Sequence, residues 1–304
     1  MTGVSIIVPN LHSPIIDRTL ESLRQQTYGL AGVEVIVVGM DKYGMVREDA
    51  LVHHHRTEHP TSPAVARNLG IKAAHGEVLC FIDADCVADP NWLAALMAKY
   101  TDPSIHIVGG AVDFTHDDYW SLADNISMFH DYMVNSPGRK RDQLPSLNLS
   151  ARRWVFDEVG FFDERYPRPA GEDADLTIRM RKAGFVLNFE PRTIVYHCPP
   201  RHRPMDLLRH SFYQGRYSTK VDPRYAAQEG LPWLLRTRVG LVLGAPLLAA
   251  GATWRIFVPR RDLWNCWYVA PAVYISKLAW CVGAATHPWK KRRSRREKGC
   301  ESPS

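Results

Sequence analysis

The sequence predicts an α/β fold: a mostly parallel central sheet flanked by helices, followed by a C-terminal apolar helical segment. Three observations carry this expectation. In the first hundred residues, short apolar runs alternate with Ser-Pro or Asp-Pro pairs that open helices, the order expected of parallel strands joined by helical crossovers. Two carboxylates, Asp83 and Asp85, stand directly after one of those runs. Beyond residue 238 the chain turns apolar between basic flanks.

VSIIV (4–8) reads as the first strand. Ser13-Pro14 then opens a helix, Ser accepting orphan N–H bonds at the N-cap and Pro fitting the first helical position. VEVIVV (33–38) is the second strand, and Ser62-Pro63 opens a helix running to residue 74. EVLCFI (77–82) is the third strand, and Asp89-Pro90 opens the next helix. IHIVGGAV (105–112) reads as a strand, 118–134 as helix, SPGRKRD (136–142) as loop and 152–158 as a short helix. GEDADLTIRMRKAG (171–184) is a marked helix: acids crowd its first turn, bases its last, and Gly184 stops it. FVLNF (185–189) and TIVYH (193–197) read as short strands. A basic helix with Phe212, Tyr213 and Tyr217 follows over 201–220, where Arg209 and Arg216 either meet phosphates or form a solvated face.

Length and composition fit one large domain plus an appendage: 304 residues, 45% hydrophobic and 23% charged. The net charge of +6 is local, because KKRRSRREK (290–298) holds seven bases and one acid; without it, 31 of each sign remain of the 38 Lys+Arg and 32 Asp+Glu. Such a run suits an anionic membrane better than nucleic acid when apolar segments adjoin it. Those segments are 239–254, short for a spanning helix, and 263–286, long enough but holding Asn265, Pro271 and Lys277. Bases on every flank favour the cytoplasmic side. A tight hairpin, helices in the membrane interface, or a packing layer on the main domain all satisfy the pattern. The expected boundaries are 1–220, 221–288 and a basic disordered tail, 289–304.

The six cysteines form no CxxC pair, so the chain reads as reduced and cytosolic without a structural zinc site. MTGVSIIVPN lacks a basic region and reaches a strand at once, so no signal peptide is expected. His53-His54-His55 point to alternate faces of a strand, chelate one ion poorly, and read as structural or surface residues. No glycine-rich phosphate loop follows the first strand, which argues against a nucleotidyltransferase or a dinucleotide oxidoreductase.

Carboxylates are rarely placed beside a buried strand unless a cation, a hydrogen-bond network or open water receives them. In parallel sheets, ligands bind at the carboxyl ends of strands, where Asp83 and Asp85 lie. Taken together, VSIIVPN (4–10), SLRQQTY (22–28), ARNLGIKAAHGEVLCFIDADC (66–86), LNLSARRWVFDEVGFFDE (147–164) and GEDADLTIRMRKAG (171–184) resemble the family-2 glycosyltransferases of the GT-A fold, over roughly residues 3–220. Each segment alone is weak; their order and spacing carry the likeness.

That resemblance implies an inverting transferase that moves sugar from a nucleotide-diphospho-sugar to an acceptor hydroxyl. A divalent cation, Mn2+ or Mg2+, would stabilise the leaving diphosphate through oxygen ligands. The resemblance assigns the metal to Asp85 and a supporting role on ribose or metal-bound water to Asp83. It assigns the general base to Asp173, beside Glu172 on the acceptor side; the plainer reading is helix-start acid bias, which suffices for Asp175 paired to Arg179. Arg67 would meet the diphosphate, with Asn68 beside it. Pro9 and Asn10 fall where the family's nucleoside sits, and Asn148 resembles its acceptor-side asparagine. His197 either completes the metal site or bonds to backbone.

One departure stands out. The family's acid after the second strand is Gly39 here, and Asp41 comes late. Either Asp41 reaches the nucleoside or another group does, which leaves UDP, GDP and dTDP open. The partners implied are a nucleotide-sugar donor, a glycan or lipid-linked acceptor and an anionic membrane surface at the cytoplasmic face. The alternative is a non-catalytic, membrane-associated binding protein that keeps the fold, and donor turnover separates the two.

Overall fold

The computed structural model describes residues 3–114, 118–225 and 237–288. The basic run at 290–298 and the tail from 289 lie outside the described residues. One sheet has eight strands: β1 (Val4–Leu11), β2 (Val33–Met40), β3 (Val52–Arg56), β4 (Val78–Ile82), β5 (Cys86–Ala88), β6 (Ile107–Asp113), β7 (Asn148–Arg152) and β8 (Leu187–His197). Their spatial order is β3-β2-β1-β4-β7-β6-β8-β5. β1, β2, β3 and β4 form a parallel half, whereas β7 runs against both β4 and β6, and β5 against β8. The sheet is therefore mixed, with its parallel part where the strand–helix alternation was read.

The apolar runs are nearly continuous because both faces of the sheet are covered. Val4, Ile6 and Val8 of β1 join Val35, Val37, Val78, Cys80 and Ile82 on one face. Ile7, Ile36, Val38, Leu79 and Phe81 join the other. The helices are α1 (Ile16–Arg24), α2 (Pro63–Ala73), α3 (Trp92–Lys99), α4 (Tyr119–Phe129), α5 (Arg153–Val159), α6 (Glu172–Lys182), α7 (Pro204–Arg216), α8 (Arg238–Phe257) and α9 (Ala270–Ala285).

Several local readings differ from the expectation, each for a physical reason. α1 begins at Ile16, two residues later than expected, with Ile15 at the N-cap and no side-chain cap; Ser13 Oγ accepts from Ile15 N at 3.4 Å and donates to the Ala84 carbonyl at 2.7 Å. Ser62 does accept from Val65 N, with Pro63 at the first position of α2. α3 starts at Trp92, after a turn in which Asp89 Oδ1 accepts from Asn91 N. NLSAR was not read as a strand, yet it is β7, because its neighbours β4 and β6 supply partners that a local pattern cannot show. The two expected strands after α6 are one, β8, whose register against β6 shifts between Gly110 and Ala111.

The C-terminal elements share the core of the sheet: Ile256, Phe257, Leu263, Cys266, Val269, Ala272 and Val273 cluster with Leu122 and Phe129 of α4. α9 crosses α7 closely at two glycines: a Cβ on Gly215 would strike the Trp280 carbonyl, and one on Gly283 the Phe212 carbonyl. Ser127 and Ser276 hydroxyls bond at 2.8 Å, and Lys277 Nζ donates to the Ser127 carbonyl at 2.7 Å, pinning α9 to α4. α8 and the stretch Arg261–Ala285 are each long and apolar enough to cross a membrane by length and composition. α8 leaves Leu243, Leu247 and Trp254 exposed.

Candidate active site

The turn after β4 is fixed by its backbone: Ser13 Oγ and Thr19 Oγ1 both donate to the Ala84 carbonyl, at 2.7 and 3.1 Å. Asp83 and Asp85 therefore leave the strand from a held point. Arg67, on α2, is buried to 2% exposure and reaches two acids. Its Nη2 donates to Asp83 Oδ1 at 2.7 Å, and its Nη1 to Glu172 Oε1 at 2.9 Å.

Glu172 and Asp173 open α6 behind Gly171, which takes φ 88°. A side chain there would collide with the Tyr217 carbonyl, so glycine allows the chain after α7 to lie against the helix start. Asp173 accepts from its neighbour Ala174 N at 2.7 Å and from Ser146 N at 3.3 Å. Burial pushes its carboxyl above the ordinary aspartate range, while Arg67 and these N–H groups pull it back. Burial, then the adjacent Asp173, raise Glu172 to about 7 against the opposing pull of Arg67. Glu172 Oε2 is buried without a hydrogen-bond partner. Asp175 takes the plainer role, bonded to Arg179 at 2.9 Å and to Arg224 at 3.2 Å.

On the other side of Asp85, the antiparallel pairing of β5 with β8 sets Cys86 opposite His197. His197 Nε2 lies 3.7 Å from Asp85 Oδ2. His197 Nδ1 meets Asn125 Oδ1, and an amide oxygen only accepts, so Nδ1 carries a proton and the ring is turned with Nε2 toward Asp85. Burial raises Asp85, but His197 and Arg201 outweigh it and hold the carboxyl down at about 2. Asp124, beside Asn125, is fully buried and bonded to Arg201 at 3.0 Å and His210 at 2.7 Å. Ligand atoms of Asp85, Cys86 and His197 lie within 4.8 Å of one another. A carboxylate oxygen and an imidazole nitrogen so placed suit a divalent cation such as Mn2+, so these residues fit the expected metal.

Arg67, Asp83, Glu172, Asp173 and His197 all line one cavity of about 730 Å3, which extends to α8 and α9. Pro9, Asn10 and Asp41 do not line it. Pro9 and Asn10 stand at the carboxyl end of β1, paired with Val38 and Gly39. The Asn10 amide is engaged locally, donating to the Met40 carbonyl at 3.1 Å and accepting from Ser13 N at 3.0 Å. The Asp41 carboxylate likewise closes its own loop, accepting from Tyr43 N and Val46 N. Asn148 corrects the acceptor-side expectation. It is buried in β7, accepts from Trp92 Nε1 at 2.9 Å and donates to the Ala111 and Thr193 carbonyls at 2.8 Å, so it faces the core. Asn68 also holds structure, bonding Phe162 and Glu164.

Sequence reasoning passed over Cys86, Asn125 and Asp124. Cys86 had a signal in adjoining the acid pair; the other two sit in α4, far from any motif.

The sequence model described as Glycosyl transferase family 2 matches residues 5–156. Glycosyltransferase AglE of Haloferax volcanii is 28% identical over 228 residues, covering 72% of this chain and 73% of that protein. The pre-mycofactocin glycosyltransferase of Mycobacterium tuberculosis is 27% identical over 274 residues, 83% of this chain; the match spans about half of that protein's length, 56%. A mannosyltransferase from Pyrobaculum calidifontis, solved with GDP-Man and Mn2+, superposes with a TM-score of 0.57 at 18% identity, covering 91% of this chain and 87% of that one. GalNAc-T7, solved with UDP, GalNAc and Mn2+, gives 0.52 at 18% identity, over 64% of this chain and 43% of that one. These structural likenesses show the GT-A-like fold.

Proposed function

The chain belongs to glycosyl transferase family 2 and is a glycosyltransferase acting on nucleotide sugars, and we propose that it transfers sugar to an acceptor hydroxyl with inversion. The acceptor belongs to cell-surface glycan or lipid-linked saccharide synthesis at the cytoplasmic membrane face. The observation that carries this reading is the gathering of acids around one buried cation. Asp83 and Glu172 bond Arg67, and Asp173 adjoins them on the wall of the cavity that His197 also lines.

The acceptor oxygen attacks the anomeric carbon on the face opposite its bond to the diphosphate. That carbon–oxygen bond breaks, and its electron pair leaves with the nucleoside diphosphate. The hydroxyl proton passes to Asp173. Two backbone N–H groups hold the Asp173 carboxylate, and the positive end of α6 favours its charge, while burial keeps it basic enough to take a proton. Glu172 Oε2, with no bond of its own, receives a second acceptor hydroxyl. Arg67 ties Asp83 to Glu172 and supplies positive charge beside the leaving group. Asp85 and His197 would hold a divalent cation, which when bound would supply neutralising charge to the diphosphate. The nucleoside lies against the carboxyl ends of β1 and β2, met by Pro9 and backbone, because the Asn10 and Asp41 side chains are engaged in their own loops.

The bonds that pin α9 to α4, and its close glycine contacts with α7, favour an in-plane membrane contact over a crossing, with the exposed Leu243, Leu247 and Trp254 of α8 facing lipid. Asp173→Asn is expected to keep metal-dependent nucleotide binding and to lose transfer by roughly 10²–10⁴-fold. Asp85→Asn should lose the metal-dependent part of that binding. Normal turnover in Asp173→Asn would remove the base.

A further inference from the structure

The cavity continues past the acids to a group of cations that the transfer chemistry does not use: Lys220 after α7, Arg255 on α8 and Lys277 on α9. Among the described residues, none of the three has a carboxylate within ion-pair distance. Lys277 Nζ touches only the Ser127 carbonyl, and Lys220 is close enough for the two like charges to act on one another. Of the acids nearest in influence, Asp124 is already engaged by Arg201 and His210, and Asp131 is mostly exposed beside His130. Like charges gathered in one part of a cavity, none with a carboxylate in ion-pair reach, mark an anion site.

The surroundings narrow the anion. Along α8, Leu248, Ala252 and Arg255 follow at helical spacing and line the cavity as one stripe, apolar before basic. Along α9 the order reverses, Lys277 first and Trp280 next. The two helices are antiparallel: the start of α8 clusters with the end of α9, and the end of α8 with the start of α9. Arg255 and Lys277 therefore lie toward one end, while Leu248 and Trp280 join one apolar cluster at the other, together with Val221, the chain neighbour of Lys220.

We propose that Lys220, Arg255 and Lys277 bind the phosphate of an amphiphilic acceptor, whose apolar chain follows the Leu248–Trp280 end of the cavity while its hydroxyl reaches Asp173. This rests on the transferase reading only for the place of the hydroxyl. The ammonium and guanidinium groups supply charge-assisted hydrogen bonds to phosphate oxygens, and the paired apolar stripes receive the hydrocarbon.

The test uses the full chain in detergent, with farnesyl phosphate, farnesol and inorganic phosphate as probes. Binding is measured by calorimetry on the wild type, Lys277→Met and Arg255→Gln. Farnesyl phosphate is expected to bind the wild type more tightly than farnesol or phosphate alone, and each variant roughly tenfold or more weakly. Nucleoside diphosphate binding with Mn2+ should stay within about twofold in both variants. Equal affinity of farnesyl phosphate for wild type and for a folded Arg255→Gln protein would overturn the site. Inorganic phosphate binding as tightly as farnesyl phosphate would overturn the amphiphile. Loss of nucleotide binding by the wild type itself would instead remove the transferase reading, so the two failures are distinguishable.

Discussion

Arg67→Met removes the cation around which the acids gather, and its effect should depend on pH in a direction the structure fixes. Arg67 bonds Glu172 at 2.9 Å, with side-chain exposures of 2% and 4%. Even beside this cation, burial and Asp173 hold Glu172 at about 7 instead of the usual 4.5. Its ionised form is therefore disfavoured in the fold by about 3 kcal/mol. Removing one partner of such a buried pair costs about 3–5 kcal/mol. The bond to Asp83, whose side chain is 29% exposed, adds less because water screens it. The sign follows from linkage. Arg67 pulls the Glu172 carboxyl down, so its loss raises that value further. A carboxyl raised in the folded state contributes stability below its unfolded value and loses it as pH rises through the folded one. The deficit of Arg67→Met relative to wild type should thus approach several kcal/mol at about pH 8 and shrink at about pH 5, where Glu172 is protonated in both proteins. Thermal unfolding at the two pH values, in one detergent, reads this as a midpoint lowered by roughly 6–12 °C at the higher pH and by clearly less at the lower. An equal deficit at both pH values would refute the electrostatic role of Arg67 and leave only its packing.

Burial lifts Asp173 and the same cation draws it down, so the acidic limb of the pH–rate profile should lie above the ordinary aspartate value of 3.8 in wild type and move higher still in Arg67→Lys, whose shorter side chain and single ammonium cannot hold both acids as the guanidinium does. An acidic limb at or below the ordinary value would mean that Asp173 is not the group titrating. Asn125→Ala removes the acceptor that fixes the His197 tautomer, and Mn2+ affinity, followed by nucleotide-dependent relaxation of the ion, should fall by roughly 10–100-fold. An unchanged affinity would show that His197 does not bind the metal. Gly39→Asp, which restores the acid at the position where the family places it, should lower stability by about 1–3 kcal/mol or more without improving nucleotide binding, because φ is 130° and the new Cβ would strike the Asn10 carbonyl. A stable variant with tighter nucleotide binding would contradict that geometry.

Much of the parallel half of the fold was legible because buried strands between helices need apolar residues on both faces, and β1, β2 and β4 carry them. β7 was not legible, since NLSAR has a buried Asn and a buried Ser whose partners, Trp92, Tyr100 and backbone carbonyls of β6, lie far away in sequence. The same fact reverses the role of Asn148. An asparagine inside a strand looks available for a ligand until its three hydrogen bonds are counted, and all of them go to the core. Ser13 has a role that its local sequence could not show: its hydroxyl donates to the Ala84 carbonyl, 71 positions away, and so helps hold the turn that presents Asp83 and Asp85, while α1 itself starts later, at Ile16.

At the site, residues within motifs could be read and residues that orient them could not. Asp83, Asp85, Glu172 and Asp173 announce themselves as acids at element ends, where exposed helix N–H groups and strand termini make charge affordable. Asn125 and Asp124 carry no such mark, because two polar residues in a helix of mixed composition look like its wet face. Their burial follows from partners remote in sequence: Asp124 meets Arg201 and His210 of α7, and Asn125 meets His197 of β8. The apolar C-terminal segment was read as a membrane device or a packing layer, and its position connects those roles. Packed over α4 and α7, it bounds the cavity that Asp173 lines, and it leaves Leu243, Leu247 and Trp254 of α8 exposed on the same layer. A substrate with an apolar chain could therefore reach Asp173 beside this layer without its chain entering bulk water, which an acceptor site opening through a polar loop would not allow.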